Sequence, residues 1–325
     1  MPRPALALAL ALAAACDTGF APQYRVEDLR ILAVRAQVAG SLAADSDLGE
    51  TVRLTALVAN PLGRTPVRVR WATCIPDGTE AIPPCLDPDA LRDVDRLLAD
   101  PSVVALGEGA EIEVSVPQVS GAFDRLISRA EAEPAYACSL YLELPVLVVA
   151  EAGEAQQVAV KRVRLTPGRE IDGTDLAGAY VKNSNPVPLG VRRVANEDVP
   201  CGEGAPVVVP CRDDTPCGGL ACGADGFCAA TFPQGRGVLC ARPDPGAIDP
   251  PYNQCAPDGT RTPYFESMDW QWYVTGGKFP EFNGVGNATG DPVEFEAPDG
   301  PFTIWIILRD GRGGENWLAR DVPAQ

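Results

Sequence analysis

The sequence predicts a mainly β protein made of two β-sandwich units, with short helical inserts and a disulfide-rich insertion in the second. Three observations carry this expectation. Apolar and polar residues alternate along many short segments, the period-two pattern of a strand with one buried and one wet face. Turn-forming clusters such as Asn60-Pro61-Leu62-Gly63 and Glu151-Ala152-Gly153 separate several of these segments, as an antiparallel sandwich requires. Ten of the 11 cysteines lie in the body of the chain, where an even number in an exported protein reads as a disulfide framework.

Export is read from the N-terminus. Arg3, the apolar run Ala5 to Leu12 and the small residues Ala13, Ala14 and Ala15 have the layout of a secretory signal peptide. As a helix, Ala5 to Ala15 rises only about 16 Å, roughly half the hydrocarbon thickness, so it is a targeting element and no membrane span. Ala13-Ala14-Ala15-Cys16 resembles a bacterial lipobox, which implies an acylated Cys16 at the mature N-terminus. The same alanines fit the A-x-A site of an ordinary signal peptidase, which leaves a freely secreted protein as the alternative. By resemblance to enteric lipoproteins, Asp17 after the acylated cysteine points to inner-membrane retention, a rule that varies among bacteria, so the leaflet stays open.

Composition excludes several functions. Loss of residues 1–15 removes one basic residue, Arg3, and takes the net charge from −17 to −18. No basic stripe interrupts this acidic balance, and without one nucleic-acid binding is excluded, since phosphate neutralisation dominates that affinity. The longest later apolar runs, Leu144 to Ala150 and Phe302 to Leu308, are of strand length. The chain has no histidine, which removes Ser-His-Asp and Cys-His catalysis and imidazole metal ligands together.

In the first unit, residues 28–168, strand patterns run through Leu29 and Ile31; Val52, Leu54, Ala56 and Val58; Val67, Val69 and Trp71; Ile112, Val114 and Val116; and Val158 and Val160. Two helical inserts interrupt them. Asp87-Pro88 supplies a cap and a first-turn proline ahead of Leu91, Val94, Leu97 and Leu98. The second insert starts at Ser120, carries Phe123, Leu126, Ile127 and Ala130 on one face, and stops before Pro134. Trp71 followed by Tyr136-Ala137-Cys138 resembles the immunoglobulin-type sandwich with its strand-C tryptophan and Tyr-x-Cys corner. The second strand, Thr51 to Ala59, has no cysteine to meet Cys138, so Cys74 or Cys85 substitutes or Cys138 pairs elsewhere.

The second unit, residues 169–325, is expected to hold strands at Pro186 to Val194, Trp270 to Val274, Val293 to Phe295, Phe302 to Leu308 and Asn316 to Val322. Arg309-Asp310-Gly311-Arg312-Gly313-Gly314 reads as a tight hairpin. A Cys-rich insertion, residues 200–256, splits the unit. Leu29-Arg30-Ile31-Leu32-Ala33-Val34-Arg35-Ala36 and Trp305-Ile306-Ile307-Leu308-Arg309-Asp310-Gly311-Arg312-Gly313-Gly314 together resemble uncharacterised myxobacterial-type envelope lipoproteins with tandem Ig-like domains. That resemblance implies placement and fold and carries no activity.

The disulfide candidates are Cys74, Cys85 and Cys138 in the first half and Cys201, Cys211, Cys217, Cys222, Cys228, Cys240 and Cys255 in the second. Both halves hold an odd number. Either one bridge joins them or each keeps a free thiol, and the bridge is preferred because exposed thiols are poorly kept in an oxidising compartment. The insertion lacks C-x₂-C knuckles, so disulfides are read over zinc. Cys217-Gly218-Gly219-Leu220-Ala221-Cys222 resembles the core of small extracellular disulfide modules.

Other groups read as structural. Asp213, Asp214 and Asp225 lack EF-hand spacing and are taken as solvated. Glu111 with Glu113 and Glu294 with Glu296 fall on wet strand faces. Trp270 and Trp272 share a face and, with Trp305, are read as core in preference to an aromatic platform. Asn287-Ala288-Thr289 matches a glycosylation sequon of little meaning in a bacterial lipoprotein.

The sequence therefore predicts a signal peptide (1–15), a lipid anchor and linker (16–27) and two sandwich domains, with no catalytic residue, metal or cofactor. The expected role is a cell-envelope binding or structural module. It would be held to the membrane by N-terminal acyl chains, meet an envelope protein or glycan, and bind no nucleic acid. The alternative is an envelope hydrolase that acts on glycans through carboxylates.

Overall fold

The computed structural model describes residues 22–63, 65–74, 84–115, 122–171, 173–208, 211, 222, 228, 235–244, 249, 251–280 and 292–323. The leader, Cys16, Asp17, Val116, Ser120, Asp213, Asp214, Cys217, Asp225 and the sequon at 287–289 lie outside these residues.

The first unit comprises β1 (Arg30–Val38), β2 (Ser46–Asp47), β3 (Thr51–Ala59), β4 (Arg68–Cys74), β5 (Val103–Glu108), β6 (Glu111–Ser115), β7 (Leu142–Ala152) and β8 (Ala155–Thr166), with helices α1 (Val94–Leu98) and α2 (Ala122–Ala132) between them. The strands form two sheets, ordered β1-β3-β6 and β2-β8-β7-β4-β5. By order and pairing, β1, β3 and β6 stand where strands A, B and E of an immunoglobulin-type sandwich stand, and β4, β7 and β8 where C, F and G stand.

Inward residues of both sheets meet in one core: Val52 and Leu54 from β3, Val69 and Trp71 from β4, Val146 and Val148 from β7. Each such side chain contributes about 1.5–3 kcal/mol on burial. Trp71 is 1% exposed and donates its indole N–H to the Gly109 carbonyl at 2.7 Å, which satisfies the one polar group that burial would otherwise orphan. The run Leu144 to Ala150 is buried on both faces because Cys85, Val94 and Leu97 cover Ala72, Cys74, Leu147 and Val149 from outside.

Two local expectations are corrected. The first insert forms 3₁₀ turns at Pro84–Leu86 and Ala90–Arg92. Helix α1 starts only after Asp93, whose carboxylate accepts the Arg96 N–H at 3.2 Å; this cap wins over Asp87-Pro88. Tyr136-Ala137-Cys138 lies on a 3₁₀ turn, Pro134–Ser139, ahead of β7. It is no strand corner, since Pro134 at the first position of the turn keeps the chain helical there.

The second unit comprises β9 (Pro188–Val194), β10 (Ala205–Val208), β11 (Arg236–Pro243), β12 (Tyr252–Cys255), β13 (Arg261–Tyr264), β14 (Met268–Val274), β15 (Val293–Glu296), β16 (Phe302–Asp310) and β17 (Glu315–Val322). Its sheets are ordered β10-β9-β11-β15 and β14-β16-β17, with β12 and β13 as a separate hairpin. The A-B-E and C-F-G pattern recurs, as β9-β11-β15 and β14-β16-β17. Trp270 and Trp272 on β14, each 1% exposed, occupy the strand-C place that Trp71 takes in the first unit.

The described residues of the 200–256 segment therefore form no separable insertion. β11 is a central strand of the second unit, and Val207, Val208, Leu239 and Ala241 sit in its core with Trp270 and Trp272. Cysteine density hid this strand from sequence reading, because the short run Val238 to Ala241 is buried on both faces and shows no alternation.

The residues expected as a linker also join the second unit from Tyr24 onward. Val26 donates to the Val274 carbonyl and Val274 to the Tyr24 carbonyl, each at 2.9 Å. The Tyr24 ring meets Phe279 edge-on at 5.2 Å. From there the chain crosses into β1.

The units pack sheet on sheet. Leu32 and Ala33 beside a bulge in β1, with Ala59 of β3, bury Trp305 and Ile307 of β16. Outward faces of the first unit's A-B-E sheet and the second unit's C-F-G sheet thus share one apolar layer.

Candidate functional site

Turn chemistry builds the most structured polar site. At the β16–β17 hairpin the Asp310 carboxylate accepts the backbone N–H groups of Arg312 and Gly314, both at 2.8 Å. Gly313 takes φ +100°, which glycine adopts at low cost. Fixed in this way, Arg312 points back between the two units, where its side chain is 5% exposed.

Around that guanidinium stand residues distant in sequence. Glu266 lies at 3.2 Å and Asp45 at 3.6 Å, each with a side chain 2% exposed. Tyr252 lies 4.8 Å and Tyr180 5.5 Å from it, ring centroid to Cζ. Asp45 also accepts the Tyr180 hydroxyl and, at 2.8 Å, the Asn183 N–H. The Asn183 amide in turn donates to Asp310 at 3.1 Å.

Burial dominates the protonation of this cluster. It raises the Asp45 and Asp310 carboxyls above the usual range, against the hydrogen bonds they accept. It also pushes Glu266 up to about 7, with the neighbouring Asp310 charge adding to the effect. Tyr180 is raised by burial and by the Asp45 charge beside it. Charge removed from water is costly unless paired, so the cluster works as a structural node.

A cavity of about 410 Å³ opens against the node, lined by Tyr141, Arg164, Tyr180, Tyr252, Asn253, Gln254 and Arg312 among others. Its wall includes Cys138 and Cys255, which are joined by a disulfide. No Asp or Glu is among its described lining residues. Arg164 stacks 4.3 Å from the Tyr141 centroid.

The remaining predicted residues are placed as follows. Disulfides join Cys74 to Cys85, Cys201 to Cys240 and Cys211 to Cys222, and Cys228 is disulfide-bonded too. Cys138–Cys255 is the bridge that links the two halves. Glu111 and Glu113 meet Arg53 on an exposed face, Glu294 meets Arg236, and Glu296 meets Lys278. Trp270 and Trp272 lie in the second core and Trp305 between the units, so they form no aromatic platform. No cluster of three metal-ligating side chains occurs among the described residues.

Sequence reading named none of Asp45, Arg164, Tyr180 or Glu266 as site residues and took Arg312 only as part of a hairpin. The one local signal is an arginine set among glycines at a turn; the rest is assembled by the fold.

No family model matches the chain, and no curated protein matches it. Among solved structures, the Clostridium thermocellum CbhA fibronectin(III)-like modules overlap 90% of this chain and 94% of theirs at 9% identity and TM-score 0.21. Three N-terminal domains of the bacteriophage RB49 highly immunogenic outer capsid protein overlap 90% of this chain and 59% of theirs at 8% identity and TM-score 0.18. Dimeric latent PorU from Porphyromonas gingivalis overlaps 92% of this chain and 24% of its own at 12% identity and TM-score 0.20. Overlap this shallow carries no argument; the chain's own strand pairing defines its architecture.

Proposed function

We propose that this is an exported, lipid-anchored cell-envelope protein whose tandem sandwiches act as a non-enzymatic binding or structural module. The observation that carries export is oxidation: every described cysteine is disulfide-bonded, the state kept outside the cytoplasm. The non-enzymatic reading rests on a chain without histidine and is consistent with a cavity whose described lining residues include no Asp or Glu.

Anchoring at Cys16 would hold the second unit close to the membrane, because the chain enters that unit at Tyr24. Eight residues span at most about 29 Å when fully extended. Metabolic labelling with an alkyne fatty acid tests the anchor. Wild type should label and Cys16→Ala should not, while an unlabelled wild type recovered in the medium would replace the anchored protein with a secreted one.

A further inference from the structure

Arg164 differs from its neighbours in the node. Arg312 is matched by Asp45 and Glu266. On the same strand as Arg164, Arg162 is matched by Glu143 at 3.1 Å. Arg164 itself lines the cavity and lies on the Tyr141 ring; its guanidinium acts on Asp45 only through the field between them and makes no direct hydrogen bond or ion pair to any described residue. A half-buried guanidinium whose N–H groups meet no described acceptor leaves them available to an anion that enters the cavity.

We propose that the cavity between the two units binds a carboxylate-bearing ligand of about monosaccharide size through Arg164; this deepens the binding-module reading and rests on it. A guanidinium fork matches a carboxylate with two parallel hydrogen bonds. One guanidinium without a direct ion pair suits a monoanion; a phosphate dianion would bring surplus charge towards Asp45 and Glu266. The Tyr141 and Tyr252 hydroxyls, which make no hydrogen bond to a described residue, and the Asn253 and Gln254 amides supply the neutral donors and acceptors that hydroxyls of a sugar acid require. At about 410 Å³, the space is at the small end of the range for ligand pockets.

Calorimetric titration of the full mature chain with D-glucuronate, glucose, acetate and inorganic phosphate tests the assignment. Saturable glucuronate binding, competition by acetate and much weaker glucose binding are expected. Arg164→Gln should raise the glucuronate Kd about tenfold or more, the loss of one charge-assisted pair, and Arg162→Gln should leave it unchanged. Arg164→Lys, which keeps the charge and loses the fork, should fall between wild type and Arg164→Gln and covers the case in which the glutamine variant fails to fold. Absence of saturable binding, equal affinity for glucose, tighter binding of phosphate, or indifference to Arg164 would overturn the proposal. Arg164-dependent binding together with cleavage of a nitrophenyl glucuronide would support the anion site and overturn the non-enzymatic reading.

Discussion

The Glu315 carboxylate at the start of β17 accepts the backbone N–H of Val34 in β1 at 2.8 Å, a hydrogen bond that ties the second unit to the first. The same side chain, 10% exposed, pairs with Lys161 of β8 at 3.5 Å and with Arg309 of β16. Arg309 also donates to the Leu32 carbonyl at 3.0 Å. One buried carboxylate therefore neutralises two cations and caps an edge amide. Glu315→Ala leaves Lys161 and Arg309 without this carboxylate and the Val34 N–H without its acceptor, and is expected to cost about 3 kcal/mol or more. Urea unfolding of the variant checks this; a loss below about 1 kcal/mol, the range of an exposed pair, would remove Glu315 as the tie.

The Cys138–Cys255 bridge closes a separation of 117 residues, so it restricts the unfolded chain far more than a short loop does. Replacing both cysteines with serine should lower stability by about 2–5 kcal/mol, with near-ultraviolet circular dichroism unchanged because the apolar layer between the units remains. Unchanged stability in the double variant would assign the connection to that layer alone.

Glu266 gives the junction a pH dependence. Its folded pKa of about 7 lies above the ordinary 4.5, so the native state holds a proton that the unfolded chain releases earlier. Stability from this group is present below the ordinary value and is lost as pH rises towards 7. Asp45 and Asp310, also raised, act in the same sense. The unfolding free energy of Glu266→Gln relative to wild type should therefore increase between about pH 4.5 and pH 7 and level off above. A flat difference across that window would show that Glu266 titrates normally.

Gly314 has no room for a side chain. A Cβ there would lie 2.0 Å from an Asp310 carboxylate oxygen and 2.7 Å from the Ser184 carbonyl. Gly314→Ala should cost about 1–3 kcal/mol, the range for forcing atoms into a packed site, and should displace the Asp310 carboxylate from the turn that holds Arg312. Thermal unfolding measures the first effect. A variant as stable as wild type would mean that the turn shifts freely.

Strand patterns at Val52 to Ala56, Val67 to Trp71 and Trp270 to Val274, together with the burial of their tryptophans, were legible in the sequence because a half-buried sheet imprints its two faces on adjacent residues. The same locality made the β16–β17 hairpin readable from its glycines. Strand β11 was not legible, since burial on both faces erases alternation, and its cysteine attracted a different reading. Helix α1 was misplaced because Asp87-Pro88 was read as its cap, whereas the Asp93 carboxylate caps it.

By itself the sequence determined the mainly β class, the tandem organisation, the capacity for extensive cross-linking and the absence of histidine chemistry. Each of these follows from composition or from neighbours along the chain. Tertiary structure alone decided which cysteines meet, that Tyr24 joins the second unit before β1 begins, and that Arg164, Tyr180 and Arg312 line one cavity while Asp45 and Glu266 pair with Arg312. Those residues are separated by tens to hundreds of positions and are brought together only when two outward sheet faces bury each other, a long-range event that leaves no local period in the chain.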